Sequence, residues 1–392
     1  MNTPLGLAKD ELTACVSCGL CLPHCPTYQV TQDESRSPRG RISLMRGVES
    51  GSLAITKEVI DSIDTCVQCM GCETACPSSV QYGSLIERTR EALITERKLN
   101  LRLKVGLWVL LRMRLLMIGS RLLALIQRSG LLSNKFLPIT SRIPLRSEKY
   151  KECVDPEVVF FTGCVMDAWL PKIHKSGLSI LETLGIQYTV SGNTVGCCGA
   201  LHNHAGLRSI AQEQATKVIA KLPPELPILV DSAGCGAALK EYNKLLETEE
   251  AEEFSSRVYD IHEWLVNDPR WKELPPNKIE KKEKVIVQDP CHLRHVQGAH
   301  NSVRELLDPF VECVELDDEG LCCGAGGAFS LNQPEMSTEI RDLKLQSIKR
   351  AGGHIVVSAN PGCMIHLETS GVEVLHPIQV IDKLMHRGET DD

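Results

Sequence analysis

The sequence predicts a multidomain α+β protein, in which a helical N-terminal domain is followed by two tandem α/β repeats. The chain has 392 residues, which at roughly 150 residues per domain is too many for a single core. Residues 1–98 hold eight cysteines in two matching groups, and from residue 151 onward the chain repeats its own pattern. We therefore expect domains at 1–98, 151–275 and 276–392, with a basic helical linker at 99–150.

The composition is that of a globular protein with one anomaly. Hydrophobic residues make up 43% and charged residues 24%, which excludes a disordered tail protein. The net charge of −7 argues against nucleic acid as a partner. The anomaly is the 18 cysteines, which are clustered and lack the scattered spacing of a secreted disulfide framework. Because no secretory signal precedes them, we expect a cytoplasmic protein with reduced, metal-binding thiols.

The N-terminal cysteines form the spacing C-x2-C-x2-C-x3-C-P twice. Three thiolates on one tight loop can bind three irons of a cubane, whereas the fourth is turned away and ligates the other cluster in two-cluster ferredoxins. Zinc is the alternative, but zinc usually takes its ligands as two separated pairs. We therefore predict two 4Fe-4S clusters with exchanged fourth ligands: Cys15, Cys18, Cys21 and Cys76 for the first, and Cys66, Cys69, Cys72 and Cys25 for the second.

Two adjacent clusters are suited to carrying electrons, and nothing else in this region suggests catalysis. The segments RGRISLMRGVES and KEVIDSIDTC have helical periodicity. In the segment SPRGR, Arg39 and Arg41 are candidates for positions near cluster sulfurs, where positive charge would raise the potential. We favour the simpler interpretation that Pro38 starts a helix.

The second half of the chain is a tandem duplication. VVFFTGC is matched by VIVQDPC, VGCCGAL by LCCGAGG, and ILVDSAGCGAAL by IVVSANPGCMIHL. Each copy places a β-branched run before a cysteine-bearing turn and a helical stretch after it, which predicts a parallel or mixed sheet. The join is expected around the acidic run ETEEAEE, a surface helix, and the linker PPNKIEKKEK.

Because the turns at the carboxyl ends of parallel strands meet, the four thiols of each copy are expected to converge. We predict an additional 4Fe-4S or zinc centre in at least one copy. Buried structural thiols are the alternative, which the recurring Cys-Cys-Gly disfavours. The neighbouring His202, His204 and His292 are expected to be structural. The candidate ligands are Cys164, Cys197, Cys198 and Cys235 in the first copy, and Cys291, Cys322, Cys323 and Cys363 in the second.

These copies resemble the cysteine-rich CCG domains of heterodisulfide reductase B subunits, and the N-terminal domain resembles a ferredoxin. The whole chain resembles the iron–sulfur subunits of bacterial glycolate oxidase (glycolate dehydrogenase), through stretches such as ACVSCGLCLPHCPTYQ, SPRGRI, GCCGALHNH and LCCGAGGAF. The C subunit of anaerobic glycerol-3-phosphate dehydrogenase shares this architecture and is the alternative, together with other CCG electron carriers. One departure is that Ser232 and Asn360 occupy the position of a fifth cysteine.

The resemblance implies that partner subunits with FAD oxidise glycolate to glyoxylate, and that this chain passes the electrons to an acceptor such as a quinone or a membrane-associated carrier. The Gly-rich turns GAGGAF and GCGAAL do not complete a dinucleotide-binding fingerprint, so we expect no catalytic residues here. A non-redox metal-binding or assembly protein is the hypothesis from a different class.

The linker carries a strong positive charge. Residues 97–147 contain eleven Lys or Arg and no Asp or Glu, and the uncharged stretches are too short to span a membrane. Arg114, Arg121 and Arg128 recur every seven residues, which predicts a basic seam on a helix that is apolar nearly all round. We favour packing on this chain or on a partner subunit. Peripheral contact with the inner face of the cytoplasmic membrane is the alternative.

Overall fold

A computed structural model of the chain describes residues 4–97, 99–129, 142–151, 153–274 and 282–386. It contains a helical N-terminal region and two parallel sheets, which confirms the predicted fold class. Part of the predicted linker PPNKIEKKEK lies outside the described residues. The N-terminal region is built from six helices: α1 (Lys9–Thr13), α2 (Pro26–Thr31), α3 (Pro38–Glu49), α4 (Lys57–Asp64), α5 (Gly71–Thr74) and α6 (Tyr82–Ala92).

The helices of this region begin where the sequence supplies caps. Ser37 Oγ accepts a hydrogen bond from the Gly40 amide at 3.0 Å, and Pro38 occupies the first position of α3. The prediction that Pro38 starts a helix is therefore confirmed. Apolar residues from α3, α4 and α6 form the core between the two cysteine motifs, among them Ile42, Met45, Ile63, Leu85 and Ile86.

Two helices follow the N-terminal region, α7 (Leu101–Leu110) and α8 (Met113–Arg128), and we refer to them as the basic helix pair. The predicted helix that carries Arg114, Arg121 and Arg128 is α8, and it is separated from α7 at Arg112, whose φ of −127° and ψ of 77° are not helical. One face of the pair packs on the first repeat. Trp169 donates a hydrogen bond from its indole nitrogen to Ser120 Oγ at 2.9 Å. The favoured prediction of packing on the chain itself is thus confirmed for this face.

The first repeat contains a four-stranded parallel sheet with the order β2-β1-β3-β4. Its strands are β1 (Val158–Phe161), β2 (Tyr188–Val190), β3 (Ile228–Val230) and β4 (Val258–Asp260). Its helices are α9 (Val165–Trp169), α10 (Pro171–Thr183), α11 (Gly192–Val195), α12 (Ala200–His204), α13 (Arg208–Lys221), α14 (Ala233–Lys240), α15 (Tyr242–Leu246), α16 (Glu249–Ser256), α17 (Ile261–Asn267) and α18 (Pro269–Lys272). The acidic run forms α16, as predicted.

The second repeat has the same strand arrangement, in the order β6-β5-β7-β8 and again wholly parallel. Its strands are β5 (Lys284–Val287), β6 (Glu312–Val314), β7 (Ile355–Val357) and β8 (Glu373–Leu375). Its helices are α19 (His300–Leu307), α20 (Phe329–Asn332), α21 (Pro334–Ala351), α22 (Pro361–Glu368) and α23 (Pro377–Met385).

The two repeats share one hydrophobic core. Helix α10 packs against α23, and α17 packs against α19. Phe160 and Leu265 of the first repeat belong to the same buried cluster as Val285, Leu306 and Ile378 of the second. Burial of apolar surface on this scale joins the repeats into a single unit. As a result, the carboxyl ends of both sheets, and the cysteine turns that follow them, are held in a fixed relation.

Candidate metal centres

Four cysteines from both N-terminal motifs line one small cavity of about 20 Å³. Three of them, Cys66, Cys69 and Cys72, come from the second motif. The fourth is Cys25, which precedes α2 and belongs to the first motif. This arrangement supports the exchanged fourth ligand, because the cavity collects the predicted set and no other cysteine among its lining residues.

The two C-x2-C-x2-C loops owe their shape to the same backbone pattern. In the first loop, positive φ angles occur at Ser17 (58°) and Gly19 (90°). In the second loop, they occur at the equivalent Gln68 (57°) and Met70 (62°). Each loop thus has two left-handed residues, one on either side of its second cysteine. These two sharp turns direct successive cysteines toward a common centre. Since left-handed backbone costs energy for a residue other than glycine, its recurrence at three such positions indicates a functional constraint.

A buried arginine lies beside the second set. Arg41 lines the same cavity and donates hydrogen bonds from Nε to the Ser62 carbonyl at 2.7 Å and from Nη2 to Thr27 Oγ1 at 3.1 Å. The less favoured prediction for Arg41 is therefore also correct. Tyr82 donates a hydrogen bond from its hydroxyl to Cys66 Sγ at 3.5 Å, and no sequence pattern pointed to this residue. These two groups place positive charge and a donor next to the sulfur atoms.

The chemistry of this set fits a soft metal centre. The ligands offered are four sulfur atoms, which favour iron–sulfur clusters or zinc over hard cations. Burial raises the pKa of Cys72, and the neighbouring Cys69 and Cys66 raise it further. Burial also raises the pKa of Cys25, although the charge of Arg41 opposes it. Metal binding must therefore displace protons from thiols that hold them firmly.

The first set lies nearer to solvent. Cys15, Cys21 and Cys76 all contact the N-terminal core and are partly buried, whereas Cys18 is exposed. Burial raises the pKa of Cys21 to about 11, with the adjacent Cys25 and Cys15 contributing. The side chain of an arginine is bound to the backbone of this loop. Arg39 donates from Nη1 to the Ser17 carbonyl at 3.1 Å.

In each repeat the predicted thiols converge after the strands that carry them. In the first repeat, Cys164 and Cys197 belong to one buried cluster, and the sulfur atoms of Cys198 and Cys235 lie 3.4 Å apart. In the second repeat, Cys291 packs against the buried cluster that contains Cys322. The sulfur atoms of Cys323 and Cys363 lie 3.1 Å apart. Within the described residues, no group of three or more His, Cys, Asp or Glu side chains is arranged to hold a metal ion. The structure therefore brings the thiols of each copy together in pairs, and a four-thiol centre for zinc or a 4Fe-4S cluster stays a prediction.

The glycine of each Cys-Cys-Gly is required by both backbone and space. Gly199 has a φ of 81° and Gly324 a φ of 88°. Their amides donate hydrogen bonds to Cys197 Sγ and Cys322 Sγ, each at 3.4 Å. A Cβ at Gly324 would lie 2.6 Å from the Ser337 carbonyl oxygen. The motif therefore lets a helix approach closely while an amide points at the sulfur.

The residues at the fifth-cysteine positions have different roles. Asn360 donates a hydrogen bond from its side-chain nitrogen to Cys363 Sγ at 3.5 Å. Its side-chain oxygen accepts one from the Gly234 amide of the first repeat at 3.1 Å. Ser232 is buried at the start of α14. At Asn360 a cysteine ligand is thus replaced by a side chain that joins the cysteine turns of the two repeats.

The thiol sets of the N-terminal region and the second repeat are in direct contact. Cys69 packs against the buried cluster that contains Cys322, and the interaction with Cys322 contributes most to raising the pKa of Cys69. Val67 and Phe329 pack in the same buried cluster. The first repeat has another neighbour. There His202 Nε2 is hydrogen-bonded to the Leu107 carbonyl of α7 at 3.1 Å, and Leu107 belongs to the buried cluster that contains Cys197.

A cavity of about 940 Å³ lies between the N-terminal region and the repeats. Its walls include Cys198, Glu87 and Glu241, and the stacked rings of His204 and His292, whose centroids are 5.5 Å apart. Burial raises the pKa of Glu87 to about 7. Burial lowers the pKa of His204 to about 3, so this imidazole is neutral. Cys198, which is 4% exposed, forms part of the wall of this cavity.

Comparison with known proteins agrees with this geometry. A 4Fe-4S dicluster domain matches residues 11–80, and a cysteine-rich CCG domain matches residues 158–240 and 285–368. The chain therefore has the cofactor-binding domains of an iron–sulfur protein.

Full-length relatives have the same organisation. The glycolate oxidase iron-sulfur subunit of Escherichia coli is 31% identical over 97% of this chain and 96% of its own length. The probable glycolate oxidase iron-sulfur subunit of Bacillus subtilis is also 31% identical, over 93% of this chain and 90% of its own. A dihydromethanophenazine:CoB--CoM heterodisulfide reductase chain of Methanosarcina acetivorans is 25% identical over 96% of this chain and 93% of its own. The chain thus belongs to the family of glycolate oxidase iron–sulfur subunits.

Proposed function

We propose that this chain is the electron-transfer subunit of a flavin-dependent glycolate oxidase complex. FAD-binding dehydrogenase subunits oxidise glycolate to glyoxylate, and this chain conducts the electrons onward. The observation that carries the proposal is the packing of Cys69 against the buried cluster of Cys322, which brings an N-terminal thiol set next to a thiol set of the second repeat. Contiguous sulfur sites of this kind suit one-electron transfer, which is the chemistry that bound iron–sulfur clusters supply.

The ligands follow the sets described above. One 4Fe-4S cluster takes Cys15, Cys18, Cys21 and Cys76, and the other takes Cys25, Cys66, Cys69 and Cys72. The shared cavity of the second set supports this division. The four thiols of at least one repeat hold a further centre, either a 4Fe-4S cluster or zinc. Arg41 keeps a positive charge beside Cys25 and Cys66, which favours the more negative, reduced form of a bound cluster.

The acceptor of the electrons is a quinone or another membrane-associated carrier, and the complex works on the inner face of the cytoplasmic membrane. Within the described residues, no helix combines the length and the apolar character needed to cross a bilayer. Membrane contact of this chain would therefore be peripheral. The exposed apolar side chains of the basic helix pair support such contact.

The test is a redox titration of the anaerobically purified chain, with and without its flavoprotein partners. We expect glycolate to reduce the iron–sulfur centres, observed by electron paramagnetic resonance, only when the FAD-containing subunits are present. The chain alone is expected to be reduced by dithionite but not by glycolate. Glycolate oxidation by the flavin-free chain, or centres that cannot be reduced reversibly, would exclude the electron-transfer function.

A further inference from the structure

The basic helix pair exposes an unusually apolar surface. Eight of the fourteen large hydrophobic side chains found exposed in the described part of the chain belong to it. In α8, Ile118 is 53% exposed and Leu122 is 57% exposed, and Trp108 of α7 is 50% exposed. A contiguous patch of this kind on a protein surface marks an interaction site. The eight are Leu101, Val105, Trp108, Leu115, Ile118, Leu122, Leu125 and Ile126.

Helix α8 is divided into three longitudinal strips. Its buried strip, which packs on the first repeat and the remainder of the chain, is centred on Leu116, Ser120 and Ala124. At 100° per residue, the exposed apolar strip of Ile118, Leu122 and Leu125 lies on the opposite side. This division explains why the helix is apolar nearly all round. One apolar strip is used inside the protein, and the other has no partner among the described residues.

The third strip is cationic and borders the exposed apolar strip. Arg114, Arg121 and Arg128 align along one edge of α8, and all three are exposed. Arg121 donates a hydrogen bond to the Ser147 hydroxyl at 3.1 Å, and no carboxylate faces the row in the salt bridges of the described residues. Arg112 lies between the two helices, and its guanidinium stacks 3.9 Å from the ring centroid of Trp108 of α7.

We propose that the basic helix pair binds the surface of an anionic phospholipid bilayer. The exposed apolar strip enters the boundary between head groups and acyl chains, and the arginine row pairs with phosphate groups. The proposal deepens the proposed function, on which it rests, by naming the surface through which the chain meets its membrane-associated acceptor.

Charge decides between a lipid surface and a protein partner. Residues 97–147 contain eleven Lys or Arg and no acidic residue, although the whole chain has a net charge of −7. Protein interfaces match charges of both signs. A surface with one sign of charge, a broad aliphatic strip and an arginine-stacked tryptophan fits the head-group region of an anionic leaflet.

This orientation places the first repeat next to the bilayer. Leu107 and Leu110 of α7 share a buried cluster with Cys164 and Cys197. The thiol set of the first repeat is thus separated from the docking surface by the thickness of one helix, about 10 Å. An acceptor in the membrane would approach this set before any other.

The experiment is flotation of the full-length chain with vesicles. We expect it to bind vesicles of equal parts phosphatidylglycerol and phosphatidylcholine, to bind pure phosphatidylcholine at least about tenfold more weakly, and to be released by high salt. The variant Ile118→Glu/Leu122→Glu should lose binding more than tenfold, and Arg121→Glu should weaken it about fivefold. Val154→Glu is the matched control, because Val154 is 97% exposed and lies outside the pair.

Several outcomes would overturn the proposal. These are failure of the wild-type chain to bind anionic vesicles, or equal binding by the Ile118→Glu/Leu122→Glu variant with an unchanged melting temperature. If the Ile118→Glu/Leu122→Glu variant lost its association with the flavoprotein subunits but still bound vesicles, the surface would be assigned to a protein partner instead. The proposed function is tested separately, by measuring without vesicles whether glycolate reduces the centres of the wild-type chain in the presence of the FAD-containing subunits.

Discussion

The two repeats have nearly the same cysteine geometry but different neighbours. Their closest sulfur pairs are 3.4 Å apart in the first repeat and 3.1 Å apart in the second. The set of the second repeat adjoins the N-terminal region through Cys322, whereas that of the first lies beneath the basic helix pair through Cys197. The duplicated sequence therefore builds the thiol sites, and segments outside the duplication assign each of them a different role.

The largest expected effect comes from replacing Cys25. This substitution tests the ligand set of the N-terminal cluster that adjoins the second repeat. If Cys25 belongs to the set of Cys66, Cys69 and Cys72, Cys25→Ser should lose that cluster and about half of the N-terminal iron. Iron analysis and electron paramagnetic resonance measure this. Cys153→Ser, at a cysteine outside every set, is the control. Loss confined to the cluster of Cys15 and Cys18 would contradict the exchanged assignment.

A second effect compares the glycines of the two motifs. Gly324→Ala should destabilise the protein by about 3–4 kcal/mol, because the new Cβ meets the Ser337 carbonyl in addition to the backbone strain. Gly199→Ala should cost only about 1–2 kcal/mol, since its nearest neighbour, the Ala211 carbonyl oxygen, would be 3.2 Å away.

Chemical denaturation of the anaerobic protein gives these free energies of unfolding. Gly352→Ala isolates the strain alone, because Gly352 has a φ of 72° and no neighbouring atom within 4 Å of an added Cβ. Equal losses at Gly199 and Gly324 would show that the closer helix approach in the second repeat has no energetic weight.

A smaller difference concerns access to the thiols. Cys198 borders the large cavity, whereas its counterpart Cys323 is packed with Ala325 and Cys363 in a buried cluster. In the metal-free protein, Cys198 should therefore react with iodoacetamide about tenfold faster than Cys323. Mass spectrometry of the labelled peptides measures both rates in one sample. Faster labelling of Cys323 would contradict this prediction, because it would show that the thiol of the second repeat is the more accessible one.

The last effect is the pH dependence, which has opposite signs at two buried histidines, His366 in the second repeat and His174 in the first. Burial lowers the pKa of His366 in the second repeat to about 4. The unfolded chain then binds the proton first, so stability should fall by up to about 1.4 kcal/mol per pH unit as the pH decreases from about 6.5 to 4. His366→Gln should reduce this loss.

In the first repeat, burial acts to lower the pKa of His174, but the charge and the 2.6 Å hydrogen bond of Asp231 outweigh it and raise the pKa. Protonated His174 therefore contributes to the free energy of unfolding fully below about pH 6.5, and this contribution disappears as the pH rises through the pKa of the folded state. His174→Gln should therefore cost more stability at pH 5 than at pH 8. Denaturant titrations at the two pH values measure both variants, and the same pH dependence in both would refute the difference.

Much of this comparison is predictable from the sequence, because local patterns determine it. The strand-turn order places Cys164 and Cys235 at one sheet edge, and the Cys-Cys-Gly pairs require the tight turn. Long-range packing is different. No pattern indicates that Cys69 meets Cys322, or that Tyr82 bonds to Cys66, since these contacts depend on how whole units dock. The break at Arg112 is equally hidden, because the segment contains no proline and its only glycines, Gly106 and Gly119, lie away from it, so the sequence has no stop signal there.

The amide of Asn360 gives the duplication a further consequence. Because it bonds simultaneously to Gly234 and Cys363, the sulfur site of one repeat is built partly by the other. A second backbone bond joins the Ala233 amide to the Ala359 carbonyl at 3.0 Å. The two halves therefore cannot be inherited, exchanged or expressed as separate modules without losing the clasp at their centre. The duplicated repeats can therefore differ in their neighbours and roles, but each needs the other to complete its cysteine turn.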